Sequence, residues 1–250
     1  MVLASTLLRT HSPRAIVLAA GRGERMRPLT DATPKPLLEV QGRPMIEWHL
    51  LALARAGVQE VVINTAWLEE QFPATLGDGS RFGLHLHYSH EGRDHGGALE
   101  TAGGIAKALP WLAPQGDEVF WVVSGDVLLP GFAFAAQDAE TLAASDRVGE
   151  LWLAPNAPHH PQGDFAITAQ GLASSQGEPK LTWASVGLFK PQPFAHITPG
   201  TRLALRPILE QAIAQGRLGA RRWQGRWTDV GRPETLAAVN AEPSLYAAYD

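Results

Sequence analysis

Cysteine is absent from this 250-residue chain. Disulfides and thiolate metal centres are therefore excluded, and a cytoplasmic setting fits without being required. Long apolar runs are missing too: none approaches the ~18 consecutive apolar residues of a membrane helix. The chain also lacks excess positive charge. A net charge of −4 argues against a nucleic-acid surface, which is normally basic. No G-x-x-x-x-G-K-[ST] run occurs, so there is no P-loop, and the dinucleotide pattern G-x-G-x-x-G fails because Met26 stands where its third glycine belongs. Residues 1–13 have no basic segment followed by a long apolar one, so they read as a loose extension rather than a targeting signal. With 45% hydrophobic residues, the remainder, 14–250, suits a single domain.

What is present begins at Ala15. The apolar run Ala15 to Ala20 reads as a strand buried on both faces. It leads into a loop holding Gly21, Gly23 and three arginines, Arg22, Arg25 and Arg27. Glycines let backbone N–H groups turn toward an anion, and arginine grips phosphate oxygens in pairs. Lys35 then sits between Pro34 and Pro36, which should deny it a helical setting and hold its ammonium as a positioned charge. A highly charged phosphate ligand at the end of the first strand is the expectation.

Strands and helices alternate through the first half. Pro44 to Ala56 reads as a helix stopped by Gly57, Glu60 to Asn64 and Leu84 to Tyr88 as strands, Leu99 to Leu109 as a helix ended by Pro110, and Glu118 to Val123 as a buried strand. This order predicts a doubly wound, mainly parallel sheet. In the second half, Leu151 to Ala154 and Lys180 to Phe189 read as strands, and Leu203 to Ala214 and Pro233 to Val239 as helices. Pro155 to Gly163 and Gly171 to Pro179 read as surface turns.

Asp126, after Ser124 and Gly125, follows a buried strand, where α/β folds place ligands. Asp229 follows a second short apolar-flanked segment. Either alone is a turn more often than a site, but brought together they meet the need of Mg²⁺ for one or two carboxylates. His85 and His87 share a strand face without an evident third ligand, which disfavours a metal. His159 and His160 read as a turn pair, solvated or touching a sugar. Arg221 and Arg222 read as a solvated surface pair, and Asp78 and Arg81 as a local structural turn.

Leu18 to Thr30 and Thr33 to Leu37 follow the pattern L-A-A-G-x-G-x-R-M-x-P-L-T…P-K-P. In this the chain resembles the sugar-1-phosphate nucleotidyltransferases. The similarity runs from Arg14 to about Val239, supported by Glu60 to Trp67, Gly77 to Gly83, Leu99 to Ile105, His159 to Phe165 and Trp227 to Gly231. Within the family it looks most like the N-acetylmuramate α-1-phosphate uridylyltransferases of peptidoglycan sugar recycling. The resemblance implies a Rossmann-like α/β nucleotidyltransferase fold, with a mainly parallel mixed sheet flanked by helices. It implies Mg²⁺ as cofactor and UTP and a sugar 1-phosphate as partners, with no nucleic acid or membrane.

Carried over residue by residue, the resemblance implies catalytic roles for Arg25 and Lys35. It implies nucleotide contacts from Ala20, Gly21, Gly23, Glu24, Arg25, Lys35, Thr101, Gly103 and Ser124, and metal ligation by Asp126 and Asp229. Asp164 matches the sugar-binding loop, with turn capping as its alternative. Departures touch the base and sugar pockets. Ser124 stands for an asparagine, Ala102 for a glycine (expected to narrow the pocket by a methyl), and Trp183 to Ser185 for the usual F-S-G. The loop Arg93 to Ala98 is long. From the residues themselves, Arg202 and Arg206, before and at the start of a helix, are candidates to hold an anionic sugar substituent. Mannose-1-phosphate guanylyl- and glucose-1-phosphate uridylyl- or thymidylyltransfer are the alternatives. A catalytically silent homologue would typically lack the lysine or an aspartate, and here all three residues are present. Oligomeric state is not legible in the sequence.

Overall fold

The structure, a computed structural model, describes residues 13–158 and 160–242. The loose extension expected over 1–13 lies almost wholly outside them, as do His159 and residues 243–250.

Seven strands form the central sheet: β1 (Arg14–Leu18), β2 (Glu60–Thr65), β3 (His85–His90), β4 (Phe120–Ser124), β5 (Gly149–Ala154), β6 (Thr182–Phe189) and β7 (Leu218–Arg222). Their spatial order is β7-β5-β6-β4-β1-β2-β3. Only β6 is antiparallel to its neighbours, so the sheet is mixed and mainly parallel. In β1 alternation divides the side chains between two cores. Ala15 and Val17 face the layer of helix α1 (Met45–Arg55) with its Ile46, Leu50 and Leu53. Ile16 faces the opposite layer, with Ile105, Ala106 and Leu112 of α2 (Glu100–Leu112). In β4, Trp121 and Val123 face the first layer, Phe120 and Val122 the second. A strand apolar at every position is what burial on both faces requires.

Three expectations need correction. Helix α2 runs past Pro110 to Leu112. So near a helix end proline forfeits only one bond, and the fully buried Leu112 anchors the last turn. The last long helix, α3 (Arg206–Ala214), begins at Arg206 rather than Leu203. Leu203 instead pairs by backbone with α2, its N–H donating to Leu99 O at 2.9 Å and its carbonyl accepting from Ala102 N at 3.0 Å. Arg202 and Arg206 therefore do not share one helix face. Arg221 is partly exposed but not free, because its guanidinium pairs with Asp138 and with the buried Glu150 at 2.9 Å. Among the described residues no helix is long and apolar enough to cross a membrane.

Candidate active site

A cleft of about 570 Å³ opens at the C-terminal ends of β1, β2 and β4. Its floor is the segment after β1, where Ala19 to Gly23 crosses the sheet edge. Gly21 faces open space, with nothing within 4 Å of where a side chain would stand. Gly23 has φ 68°, a left-handed conformation costly for other residues. Its carbonyl accepts from Thr30 Oγ1 at 2.8 Å and Met26 N at 2.9 Å, and fully buried Met26 pins the turn.

The three arginines separate by partner. Arg22 stacks on Trp67, its Cζ 3.7 Å from the ring centroid, and donates to Thr30 O at 2.7 Å and Asp31 Oδ1 at 2.8 Å. Arg27 also binds Asp31, at 2.8 Å. Asp31 is held below the usual carboxylate range, first by the Arg22 hydrogen bond. Arg25 makes no hydrogen bond or ion pair among the described residues. A Cβ built on Gly231 would lie 3.4 Å from Arg25 Nη2 and 3.2 Å from Asp229 Oδ2, so Arg25 and Asp229 flank Gly231.

Lys35 lies in a single 3-10 turn, Lys35–Leu37, and not in extended chain. Leu37 N donates to Pro34 O at 2.9 Å, and Pro36, early in the turn, needs no donor of its own. The turn buries the lysine stem, and its ammonium lies 2.7 Å from Asp126 Oδ2 and 3.8 Å from Asp229 Oδ1. The two aspartates meet because Thr228–Asp229 pairs antiparallel with Val127–Leu128, with Asp229 opposite Val127. Burial pushes the Asp126 carboxyl up, but the Lys35 charge and hydrogen bond, aided by Ser124, outweigh it and leave it below its ordinary value. The Ser124 hydroxyl donates to Asp126 Oδ1 at 2.7 Å, so its proton serves the carboxylate.

One ammonium touching two carboxylates marks a cation position between hard oxygen donors. That suits Mg²⁺, which completes its shell with waters and phosphate oxygens. No group of three or more His, Cys, Asp or Glu side chains that could hold a metal occurs among the described residues. His85 and His87 both bind Glu60, at 3.1 and 2.6 Å.

The opposite wall starts at Ala98, Glu100 and Thr101. Ala102 is fully buried and belongs to the core under α2, so its methyl does not narrow the cleft. Gly103 also does not line the cleft. A Cβ there would sit 2.2 Å from Thr201 O, so this glycine admits the backbone of residues 201–203. That segment carries Arg202 into the cleft wall, where it pairs with Glu100 at 3.0 Å. Glu100 has φ 61°, a strained value for a non-glycine residue. Glu100 and Asn64 were not singled out in the sequence; nothing local marks either one.

Asp164 is not among the cleft-lining residues. Its Oδ2 accepts from Trp183 N at 2.8 Å, and Oδ1 faces His160 at 3.3 Å and Arg206 at 3.8 Å. This bond ties the loop to β6, 19 residues on, and is not a local turn cap. Asp78 instead accepts from Ser80 N at 2.9 Å, a local turn.

A mainly parallel sheet, a glycine loop and a lysine between two aspartates define an enzyme of nucleotide chemistry. Residues 14–244 match the nucleotidyl transferase family, and the chain belongs to that family. It is 47% identical over 221 residues, 87% of this chain and 93% of the other, to the N-acetylmuramate alpha-1-phosphate uridylyltransferase of Neisseria meningitidis serogroup B. It is 33% identical over 237 residues, covering 91% and 95%, to the enzyme of the same name from Caulobacter vibrioides. A candidate glucose-1-phosphate thymidylyltransferase from Bacillus anthracis, solved with a sucrose, superposes with a TM-score of 0.77 at 22% identity, covering 95% of both chains, and shares the fold.

Proposed function

We propose that this chain transfers UMP from UTP to N-acetylmuramate α-1-phosphate, releasing pyrophosphate, in a cytoplasmic sugar-salvage role. The observation that carries the reaction type is the Lys35 ammonium between Asp126 and Asp229, with the uncommitted Arg25 beside Asp229 at Gly231. A phosphate oxygen of the sugar 1-phosphate attacks the α-phosphorus in line. The new P–O bond forms as the bond to the β-bridging oxygen breaks, and pyrophosphate departs with the electron pair. The attacking oxygen is already anionic near neutral pH, so no strong general base is required. Catalysis is then positioning and charge neutralisation.

The Ala20 to Glu24 segment holds the triphosphate through backbone N–H groups, and Arg25 neutralises charge on the departing pyrophosphate. Lys35 brings the two anionic reactants together. Asp126 and Asp229 would hold Mg²⁺, which when bound neutralises charge on the α-phosphate. Thr101, beside the small Ala98, faces the base, and the compact wall suits a pyrimidine. Gly103 serves that wall through packing. Arg202 in the cleft wall supports a subsite for an anionic sugar substituent, such as a lactyl carboxylate. Asp164 contributes by positioning Trp183 and Arg206.

The test is pyrophosphate release across four nucleoside triphosphates and a panel of sugar 1-phosphates. UTP should exceed GTP and ATP by at least roughly tenfold, about 1.4 kcal/mol. Equal use of GTP would favour guanylyl transfer. Arg202→Ala should weaken use of the muramate sugar by about 1–3 kcal/mol while sparing N-acetylglucosamine 1-phosphate. Equal losses on both sugars would assign Arg202 to the shared phosphate.

A further inference from the structure

Three loops that build the cleft converge on one buried carboxylate that the proposed chemistry does not use. Glu91 follows β3 and is fully buried. Its Oε1 accepts from Asn64 Nδ2 at 2.8 Å, and its Oε2 accepts from Leu99 N at 2.7 Å. Asn64, near the end of β2, in turn accepts from Ala19 N at 2.9 Å through Oδ1. A continuous chain of hydrogen bonds therefore runs from the root of the glycine loop, through Asn64 and Glu91, to the residue before α2. Ala19 and Asn64 line the cleft on one side, and Ala98 and Glu100, flanking Leu99, line it on the other.

The close fit is written into Gly104. A Cβ at that position would stand 2.6 Å from Glu91 Oε1 and 2.8 Å from Asn64 Nδ2. The first turn of α2 thus approaches the carboxylate as only glycine permits. Both carboxylate oxygens act as acceptors, so the arrangement uses the ionised form. An amide at the same place would turn one N–H donor against Leu99 N–H or the Asn64 amide. Asn64 cannot flip to relieve this without losing Ala19 N–H. Burial leaves the Glu91 carboxyl above its ordinary value, and the Leu99 and Asn64 hydrogen bonds, then the charges of Lys107 and His95, oppose that rise.

We infer that Glu91 is a positioning residue that sets the spacing between the glycine loop and the base-facing wall, and so governs nucleotide affinity. The inference rests on the cleft being the nucleotide site. It is tested with the full-length chain by kinetics and by titration calorimetry with UTP. Glu91→Gln should raise the nucleotide KM and Kd about tenfold or more, since a buried charge-assisted bond is lost. The kcat should change by less than about threefold, because Arg25 and Lys35 are set by their own turns and not by Glu91. Gly104→Ala, which presses a methyl onto Oε1 from the other side, should give the same split and serves if Glu91→Gln folds poorly. Unchanged nucleotide KM in both variants, or activity lost only in proportion to the unfolded fraction, overturns the inference and leaves the proposed function standing. A wild-type chain that binds no nucleoside triphosphate overturns both.

Discussion

Charge partners decide which of several identical residue types can serve chemistry. Of the three loop arginines, Arg22 and Arg27 are held by Asp31, and only Arg25 has a guanidinium free to meet a ligand. An arginine already paired on both faces contributes to shape; an unpaired one facing a cleft contributes charge. Arg25→Ala should therefore lower kcat/KM by on the order of 10²-fold with little change in melting temperature. Arg22→Ala should do the reverse, because it frees Trp67, Thr30 O and Asp31 together. Parallel steady-state kinetics and thermal melts on the two variants test this, and a large kinetic loss confined to Arg22→Ala would exchange the roles. The same reasoning corrects Arg221: two arginines in a row read as solvated, yet Glu150 and Asp138 claim the first. Those carboxylates lie 71 and 83 residues away, beyond any local pattern.

At the scale of elements, the site depends on two-residue ribbons and on glycines that permit contact. Residues 127–128 and 228–229 form one short antiparallel pair, extended by Val230 N donating to Asp126 O at 3.0 Å, and it carries Asp229 to Asp126 and Lys35. The glycines at 103 and 104 each admit a different neighbour, the 201–203 backbone on one side and Glu91 on the other. A methyl at Gly103 must displace backbone rather than a flexible side chain. Gly103→Ala should cost roughly 1–3 kcal/mol, as overpacking does. For a chain of this size each kcal/mol lowers Tm by about 2–4 °C. Differential scanning calorimetry would register the drop, and an unchanged Tm would mean that residues 201–203 lift away freely. The family resemblance implied a nucleotide contact for Gly103 and none for Gly104. The glycines were legible, but what they admit was not, since both partners arrive from distant segments.

Across the whole molecule, acid stability is tied to a group under the site. His49 of α1 is buried and donates from Nε2 to Val127 O at 2.7 Å. Burial is the main cause that depresses its pKa to about 4, against the opposing effects of the Val127 hydrogen bond and the Asp126 charge. The unfolded chain, with an ordinary imidazole, takes up a proton first as pH falls. The stability that neutral His49 allows is thus complete above about pH 7 and is lost as pH drops from about 6.5 toward 4. The loss between pH 7.5 and 5 is on the order of 2 kcal/mol. Urea unfolding at the two pH values should show it, and His49→Gln should reduce the difference. An equal pH dependence in wild type and variant would assign the acid sensitivity to other groups.

The alternation of strand and helix, the strand before the glycines and the turn around each aspartate were set by local sequence, whereas the meeting of Asp126 and Asp229 was not. Apolar periodicity and turn chemistry act over a few residues, and a family motif reads the same wherever the chain folds. Thus β1, β2, β4 and α1 lie close to where the residues predict them. Tertiary structure alone decided which arginine is free, that Ala102 faces core and not cleft, that Arg202 sits in a backbone-paired segment ahead of its helix, and that Asp164 is tied to β6. Each of these depends on a partner outside the motif itself, from Asp31 for Arg22 and Arg27 to Leu99 for the segment around Arg202, or on which face of a packed helix meets the sheet. Such pairings are settled by burial and charge neutralisation in three dimensions, which no single stretch of sequence records.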